Sequence, residues 1–328
     1  MDLAFALRPH ENARYQQAQT MLAGRELRCL MEKYGVVSPI ESEKLGGADF
    51  LFFTLNDPPP DALSFLARHS SLYFAAEREN GLLRPLLINR PEYVPAYMPL
   101  VLKYKGKTNA SFTRLLINLA FCAGENKPPD VPTLLDPMCG RGTTLFSALS
   151  DGMNAAGIDG DISELREGLR FSENFFQYEH IPFTAEKSSR TLNKGRSAPQ
   201  TRMTVGRGND QRTLTFILAD TRDACPAFPK GGADLLAVDL PYGVQHAPTK
   251  NGAMDTLPSL LLAALPSWKA ALKPGAGAAI SFNTLTLKRE TISSLLTASG
   301  FTVLSEPYES FEHWVEQAVT RDIIVARA

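Results

Sequence analysis

The spacing of apolar positions changes several times along residues 1–90. Leu3-Ala4-Phe5-Ala6-Leu7 is a short apolar run that predicts a strand. From Glu11 to Tyr34 the apolar positions Ala18, Leu22, Leu27, Leu30 and Met31 fall at helical spacing, and Gly35 stops the helix. Asp49 to Leu55 is rich in aromatic side chains and reads as a strand. Pro58-Pro59-Pro60-Asp61 then opens a short helix, Ala62 to Arg68. Leu72-Tyr73-Phe74 and Leu83, Leu86, Leu87 and Ile88 flank Asn80-Gly81, a hairpin signal. These elements predict a small α+β module over 1–92. Pro91, Pro95 and Pro99 mark the linker that follows it.

Phe112, Leu115, Leu116, Leu119 and Ala120 share one face of a predicted helix, Phe112 to Ala123. From 131 onward, strands alternate with helices, which predicts a parallel sheet within a second domain, 93–328. The strands are Thr133–Asp136, Asn154–Ile158, Thr215–Ala219, Leu235–Val238, Ala278–Phe282, Phe301–Leu304 and Val315–Val325. The intervening helices are Thr143–Ser150, Ser163–Tyr178, Leu257–Leu272 and Leu287–Ala298. The last two strands are expected to be antiparallel neighbours, with Arg321-Asp322 forming a turn or bulge. An excursion, 184–212, interrupts the alternation. It carries Lys187, Arg190, Lys194, Arg196, Arg202, Arg207 and Arg212 against Glu186 and Asp210. Two readings fit it: a solvated loop, or a twisted hairpin that binds phosphates beside the active site.

The composition narrows the function classes. The chain has 328 residues, 44% of them hydrophobic and 21% charged, with a formal net charge of −1. That is an ordinary globular balance, so any polyanion must be met by a local patch. Cys29, Cys122, Cys139 and Cys225 are scattered, without the pairs that hold zinc. Reduced thiols, no signal peptide and no membrane-length apolar run predict a cytoplasmic protein.

The candidate chemistry lies at strand ends, where open α/β sheets bind ligands. Asp136-Pro137-Met138-Cys139-Gly140-Arg141-Gly142-Thr143 is a strand tip, a glycine turn and a helix start. Gly140 and Gly142 let a ligand approach the backbone. The helix-start N–H groups can take a carboxylate, and Asp136 an ammonium. A methionine moiety carries both charges. The third glycine of a dinucleotide loop is replaced by Leu145, which weakens a nicotinamide reading. Asp159 suits ribose hydroxyls, with Asp161 as a competitor, and Asp220, followed by Thr221, suits an adenine amine. Each acid alone also fits a helix cap or turn. Together they form the pattern of an S-adenosylmethionine site. Asp239-Leu240-Pro241-Tyr242-Gly243 ends the fourth strand with an acid, a carbonyl fixed before proline and a ring. That set suits a planar amine: the Asp239 carboxylate and Leu240 carbonyl accept its protons, and Tyr242 stacks on it. The loop Gly243–Asp255, with His246, is placed to close over the site.

These two motifs resemble those of the THUMP-associated RNA guanine-N2 methyltransferases, over roughly residues 95–328. The resemblance implies a seven-stranded class I methyltransferase sheet, S-adenosylmethionine as cofactor and an RNA substrate, above all tRNA. It also implies that Lys107, Thr108 and Asn109 lie near the cofactor's methionine end. A linker turn with Thr108 or Asn109 as N-cap fits those residues equally. Leu240 stands where related enzymes often have a first proline, and residues 1–90 are shorter than the family's usual N-terminal pair of domains. The N-terminal module is expected to be ferredoxin-like and to dock RNA together with the basic excursion. Three other readings share the cofactor argument in whole or part: a DNA adenine-N6 or cytosine-N4 methyltransferase, a protein or small-molecule amine methyltransferase, and a non-catalytic RNA-binding protein.

Overall fold

A computed structural model describes residues 1–9, 13–59, 61–88, 90, 92–104, 107–126, 129–192, 195–242, 249–250, 253–254 and 256–328. Lys194, Pro91 and most of the Gly243–Asp255 loop, His246 included, lie outside the described residues.

The N-terminal part runs β1 (Asp2–Leu7), α1 (Ala13–Lys33), β2 (Glu41–Leu45), β3 (Ala48–Thr54), α2 (Ala62–Leu66), β4 (Leu72–Glu79) and β5 (Leu82–Leu86). Its sheet has the order β2-β3-β1-β4-β5, every neighbouring pair antiparallel. That is the ferredoxin-like arrangement with one added hairpin strand. β2 carries no apolar period. It is a charged edge strand, Glu-Ser-Glu-Lys-Leu, and such charges discourage further strand pairing.

The remainder begins with α3 (Met98–Val101) and α4 (Ala110–Ala123). Strand–helix alternation follows: β6 (Thr133–Asp136), α5 (Thr143–Ser150), β7 (Asn154–Asp159) and α6 (Ile162–Tyr178). β8 (Phe183–Thr191), β9 (Ser197–Arg207) and β10 (Asp210–Leu218) form a meander. Next come α7 (Ala224–Ala227), β11 (Ala233–Asp239), the short pair β12 (Thr249–Lys250) and β13 (Ala253–Met254), α8 (Leu257–Ala271) and β14 (Leu272–Asn283). α9 (Arg289–Ala298), β15 (Thr302–Val303), β16 (His313–Glu316) and β17 (Val319–Arg327) complete the chain. The large sheet has the order β15-β17-β14-β11-β6-β7-β10-β9-β8. From β15 to β10 this is the class I methyltransferase order. β14, β11, β6, β7 and β10 are parallel, and β17 is inserted antiparallel against β14.

One difference from the sequence reading matters for the site, and one of its two readings of the excursion is decided. Arg321-Asp322 is not a turn. Both residues lie inside β17, opposite Asn283 and Phe282, and both are buried. Asp322 is stabilised there by the Arg289 guanidinium at 2.6 Å and the Phe311 N–H at 2.7 Å. The excursion 184–212 is a hairpin, and it extends the main sheet through β9 on β10.

The two sheets share one core. Leu27 and Leu30 of α1, Phe112 and Leu116 of α4, and Phe146 of α5 belong to a single buried cluster. A buried carboxylate also crosses the seam. Glu26 accepts from the Ser70 N–H at 2.9 Å, the Ser70 hydroxyl at 2.5 Å and the Asn118 amide at 2.7 Å. Such a charge holds its place only because its partners replace water. Among the described residues, no helix is long and apolar enough to cross a membrane.

Candidate active site

Asp136, Asp159 and Asp239 end three neighbouring or near-neighbouring parallel strands at their carboxyl edge. The glycine turn after β6 is fixed from both sides. Asp136 accepts the Met138 N–H at 3.0 Å, and Asp159 accepts the Gly140 N–H at 2.8 Å. The Cys139 N–H reaches the Ile158 carbonyl at 3.0 Å. Gly142 caps α5 at φ 92, a left-handed conformation that glycine adopts without strain. A Cβ built on Gly140 would meet no heavy atom within 4 Å, so the space over the turn is open. Cys139 does not face that space. Its sulfur would lie 2.6 Å from a Cβ at Gly157, so the side chain packs on the sheet and only its backbone faces the turn. Met138 packs against a separate buried cluster that includes Leu135, Ile158 and Val238. Thr143 is buried and shares a 3.0 Å hydrogen bond with Tyr104.

The electrostatics favour a cation. Burial raises the Asp136 carboxyl from its ordinary 3.8 to about 7, and the charges of Asp159 and Asp239 push it the same way. Burial also raises Asp159. A ligand carrying positive charge would relieve this crowding of acids. Asp159 also accepts the Asp161 N–H at 2.8 Å and keeps acceptor capacity beyond these two backbone bonds, since a carboxylate offers about four lone-pair sites.

Asp220 and Thr221 are differently engaged than expected. Asp220 receives both the N–H and the guanidinium of Arg222, at 2.9 and 2.8 Å. Burial alone would raise its pKa, but those bonds and the Arg222 charge hold it below the ordinary carboxylate value. Both of its oxygens are engaged by Arg222. Thr221 is buried, with its carbonyl and hydroxyl both turned to the Trp268 indole N–H.

Lys107, Thr108 and Asn109 separate into three roles. Lys107 donates to the Leu100 carbonyl at 3.2 Å. Asn109 caps α4 by accepting the Ser111 N–H at 2.8 Å. Thr108 donates its hydroxyl to Oδ2 of Asp239. It therefore touches the acid of the second motif.

Asp239 is the centre of a compact polar group. Oδ1 accepts the Tyr242 hydroxyl, and the Arg321 guanidinium stands 3.9 Å from Oδ2. The Tyr242 hydroxyl also lies 3.0 Å from the Ser281 hydroxyl. Arg321 is held between two rings, 4.3 Å from the Phe112 centroid and 4.8 Å from that of Tyr242. Burial and the Asp239 charge push the Tyr242 phenol well above its ordinary range, so it stays a donor. Leu240 is buried, and its N–H reaches the Ser281 carbonyl at 2.9 Å. Pro241 follows it at the strand end. Register explains the grouping. Asp239 lies opposite Ser281, and Asn283, two residues on, lies opposite Arg321. Side chains at these positions share one face of the sheet. Ser281 and Arg321 were not identifiable from sequence, because only strand pairing brings them to Asp239. Their alternation within apolar strands was the one available signal.

No protein-family model matches the chain, and no curated protein matches its sequence. Among solved structures, the chain is similar to TrmN from Thermus thermophilus, at 17% identity over 91% of this chain and 64% of that one, with a TM-score of 0.43. It is similar to a TehB-like SAM-dependent methyltransferase from Corynebacterium glutamicum, at 14% identity over 60% of this chain and 80% of that one, with a TM-score of 0.36. Likeness to magnesium protoporphyrin IX methyltransferase from Synechocystis, solved with bound SAM, is 14% identity over 68% of this chain and 86% of that one, with a TM-score of 0.38. The chain spans 64% of the length of TrmN.

Proposed function

We propose that this chain transfers a methyl group from S-adenosylmethionine to an exocyclic amine of a nucleobase, with guanine N2 in tRNA as the favoured target. One observation carries the reading: a carboxylate, Asp239, stands at the strand end beside an acid-lined glycine turn that is open above Gly140. The cofactor, when bound, supplies an electrophilic methyl on a sulfonium.

The chain's residues fit that ligand. The N-terminal N–H groups of α5 suit its carboxylate, Asp136 its ammonium and Asp159 its ribose. Asp220 is a weaker adenine acceptor, since Arg222 occupies both of its oxygens. Asp239 and the Leu240 carbonyl accept the two N–H bonds of the amine. Its nitrogen then becomes more tetrahedral, and its lone pair leaves conjugation with the ring. The acceptors bind this geometry better than the planar one, so they favour the transition state. Tyr242 stacks on the base and orients it, with Arg321 on the ring's other side. A paired base has to be flipped out to reach this depth.

The choice of RNA rests on the resemblance of the two motifs and on the basic hairpin β8–β9. Arg196, between β8 and β9, and Arg212, on β10, are already engaged. Arg196 pairs with Asp223 at 2.6 Å, and Arg212 donates to the Gly152 carbonyl at 2.6 Å. Lys187, Arg202 and Arg207 are exposed and remain suited to phosphates. The test is incorporation of labelled methyl groups into total tRNA, DNA and protein from the source, followed by nucleoside analysis. The expected product is N2-methylguanosine in the tRNA fraction. Label confined to DNA or to protein would overturn the RNA assignment.

A further inference from the structure

Tyr242 stands just beyond the end of β11, which closes at Asp239. Its hydroxyl is fixed at that end: it donates to Oδ1 of Asp239 and lies 3.0 Å from the Ser281 hydroxyl. A ring held only by its hydroxyl can still pivot about it. A different group holds the face of the ring. The Arg321 guanidinium lies over it, 4.8 Å from the centroid, and is also 4.3 Å from the Phe112 centroid and 3.9 Å from Oδ2 of Asp239.

Arginine is a costly residue for that place. Arg321 is 7% exposed, and the strand continues through Ile323, Ile324 and Val325, all buried and apolar. An apolar side chain would fill the position without the loss of hydration that a buried cation suffers. The two rings and the Asp239 carboxylate offset that loss, and all three belong to the site or its supporting helix.

We infer that Arg321 is a positioning residue whose guanidinium holds the Tyr242 ring against pivoting and so sets the plane in which the target base stacks. The inference rests on the reading above, in which Tyr242 stacks on a nucleobase. Methyl transfer needs the amine nitrogen in line with the methyl–sulfur bond, and a base that follows a tilting ring loses that line. A guanidinium suits the task because it is planar, delocalised and weakly hydrated, whereas an ammonium is a compact, strongly hydrated point charge. Phe112 supports the guanidinium from α4, the helix that Thr108 leads into. Side chains from α4, the tip of β11 and β17 thus converge on the ring that receives the base.

The experiment measures methyl transfer to tRNA in a single turnover by wild type, Arg321→Met, Arg321→Lys, Tyr242→Ala and the Arg321→Met/Tyr242→Ala double variant. Cofactor Kd is measured by calorimetry, and thermal unfolding is followed in parallel. Arg321→Met is expected to lower the rate at saturating tRNA about tenfold, with cofactor Kd changed by less than about twofold and an unchanged unfolding temperature. Arg321→Lys keeps a cation beside Asp239 and is expected to recover less than half of the lost rate. In the Tyr242→Ala background there is no ring to hold, so adding Arg321→Met is expected to change nothing further. Recovery of more than half by lysine, equal losses in both backgrounds, a wild-type rate for R321M, or a loss that follows cofactor affinity or unfolding temperature would overturn the role of Arg321. Absence of methyl transfer by the wild type to tRNA, DNA and protein alike would instead overturn the functional reading, and Arg321's role with it.

Discussion

The Thr108 hydroxyl donates to the Asp239 carboxylate although 131 residues separate them in the chain. The segment that leads into α4 is thereby tied to the tip of β11. Four residues earlier, Tyr104 is tied to Thr143 at the start of α5. Both halves of the site are thus held by one stretch of chain.

Thr108 donates to the carboxylate that we propose receives the amine. Thr108→Val is expected to reduce turnover about tenfold, in line with ~1.5–3 kcal/mol for a hydrogen bond to a charged group, discounted for partial exposure. Thr108→Ser should keep most of the rate. Steady-state kinetics together with cofactor calorimetry checks this. Weakened cofactor binding with unchanged kcat would return Thr108 to the methionine end.

Asp136 gives the protein a pH signature. Its folded carboxyl titrates at about 7, against an ordinary value of 3.8. Between those values the folded chain keeps a proton that the unfolded chain has released. This group's contribution to stability therefore falls as pH rises from about 4 to about 7 and is level above. An ammonium ligand needs the carboxylate form, so cofactor affinity should move the other way and strengthen up to pH 7 and slightly beyond. Calorimetry from pH 5.5 to 8.5 measures it, and Asp136→Asn should both weaken binding and flatten the profile.

Gly157 tests the packing under the glycine turn. A Cβ there would lie 2.6 Å from both the Cys139 sulfur and the Leu145 side chain. Gly157→Ala should destabilise the fold by about 1–3 kcal/mol through overpacking. Cys139→Ala in the same chain should recover part of that loss. Denaturant unfolding of Gly157→Ala, Cys139→Ala and the double variant reads the coupling.

The hairpin β8–β9 makes separable predictions. Replacing Lys187, Arg202 and Arg207 with glutamine should weaken RNA binding and lower its salt slope by about 1 for each phosphate that is no longer neutralised. Arg196→Gln should have less effect, because its guanidinium already serves Asp223. Filter binding across a salt series distinguishes the two sets.

The sequence was most readable where structure depends on local signals. The strand-end acids Asp136, Asp159 and Asp239 sit beside glycine or proline punctuation, and the structure places all three at one sheet edge. Asp220 looked equivalent, yet Arg222 folds back on it within two residues. Thr221 is claimed by Trp268, 47 residues away. The strand β2 was not visible because its alternation is of charges, without an apolar face. Arg321 read as a turn residue because an arginine inside a buried strand is unfavourable until its partners are known. Phe112 supplies one partner from α4, and Asp239 and Tyr242 supply the others from the tip of β11. Ser281 was hidden for the same reason, since its meaning comes from register with Asp239.

Asp239 carries the central claim, and one comparison tests it most directly: methyl transfer to tRNA by Asp239→Ala and wild type, at saturating cofactor and with cofactor Kd measured alongside. The expected result is turnover lowered by at least about 10³, with Kd changed by less than about threefold. Turnover near wild type in that variant, with cofactor bound normally, would contradict the account.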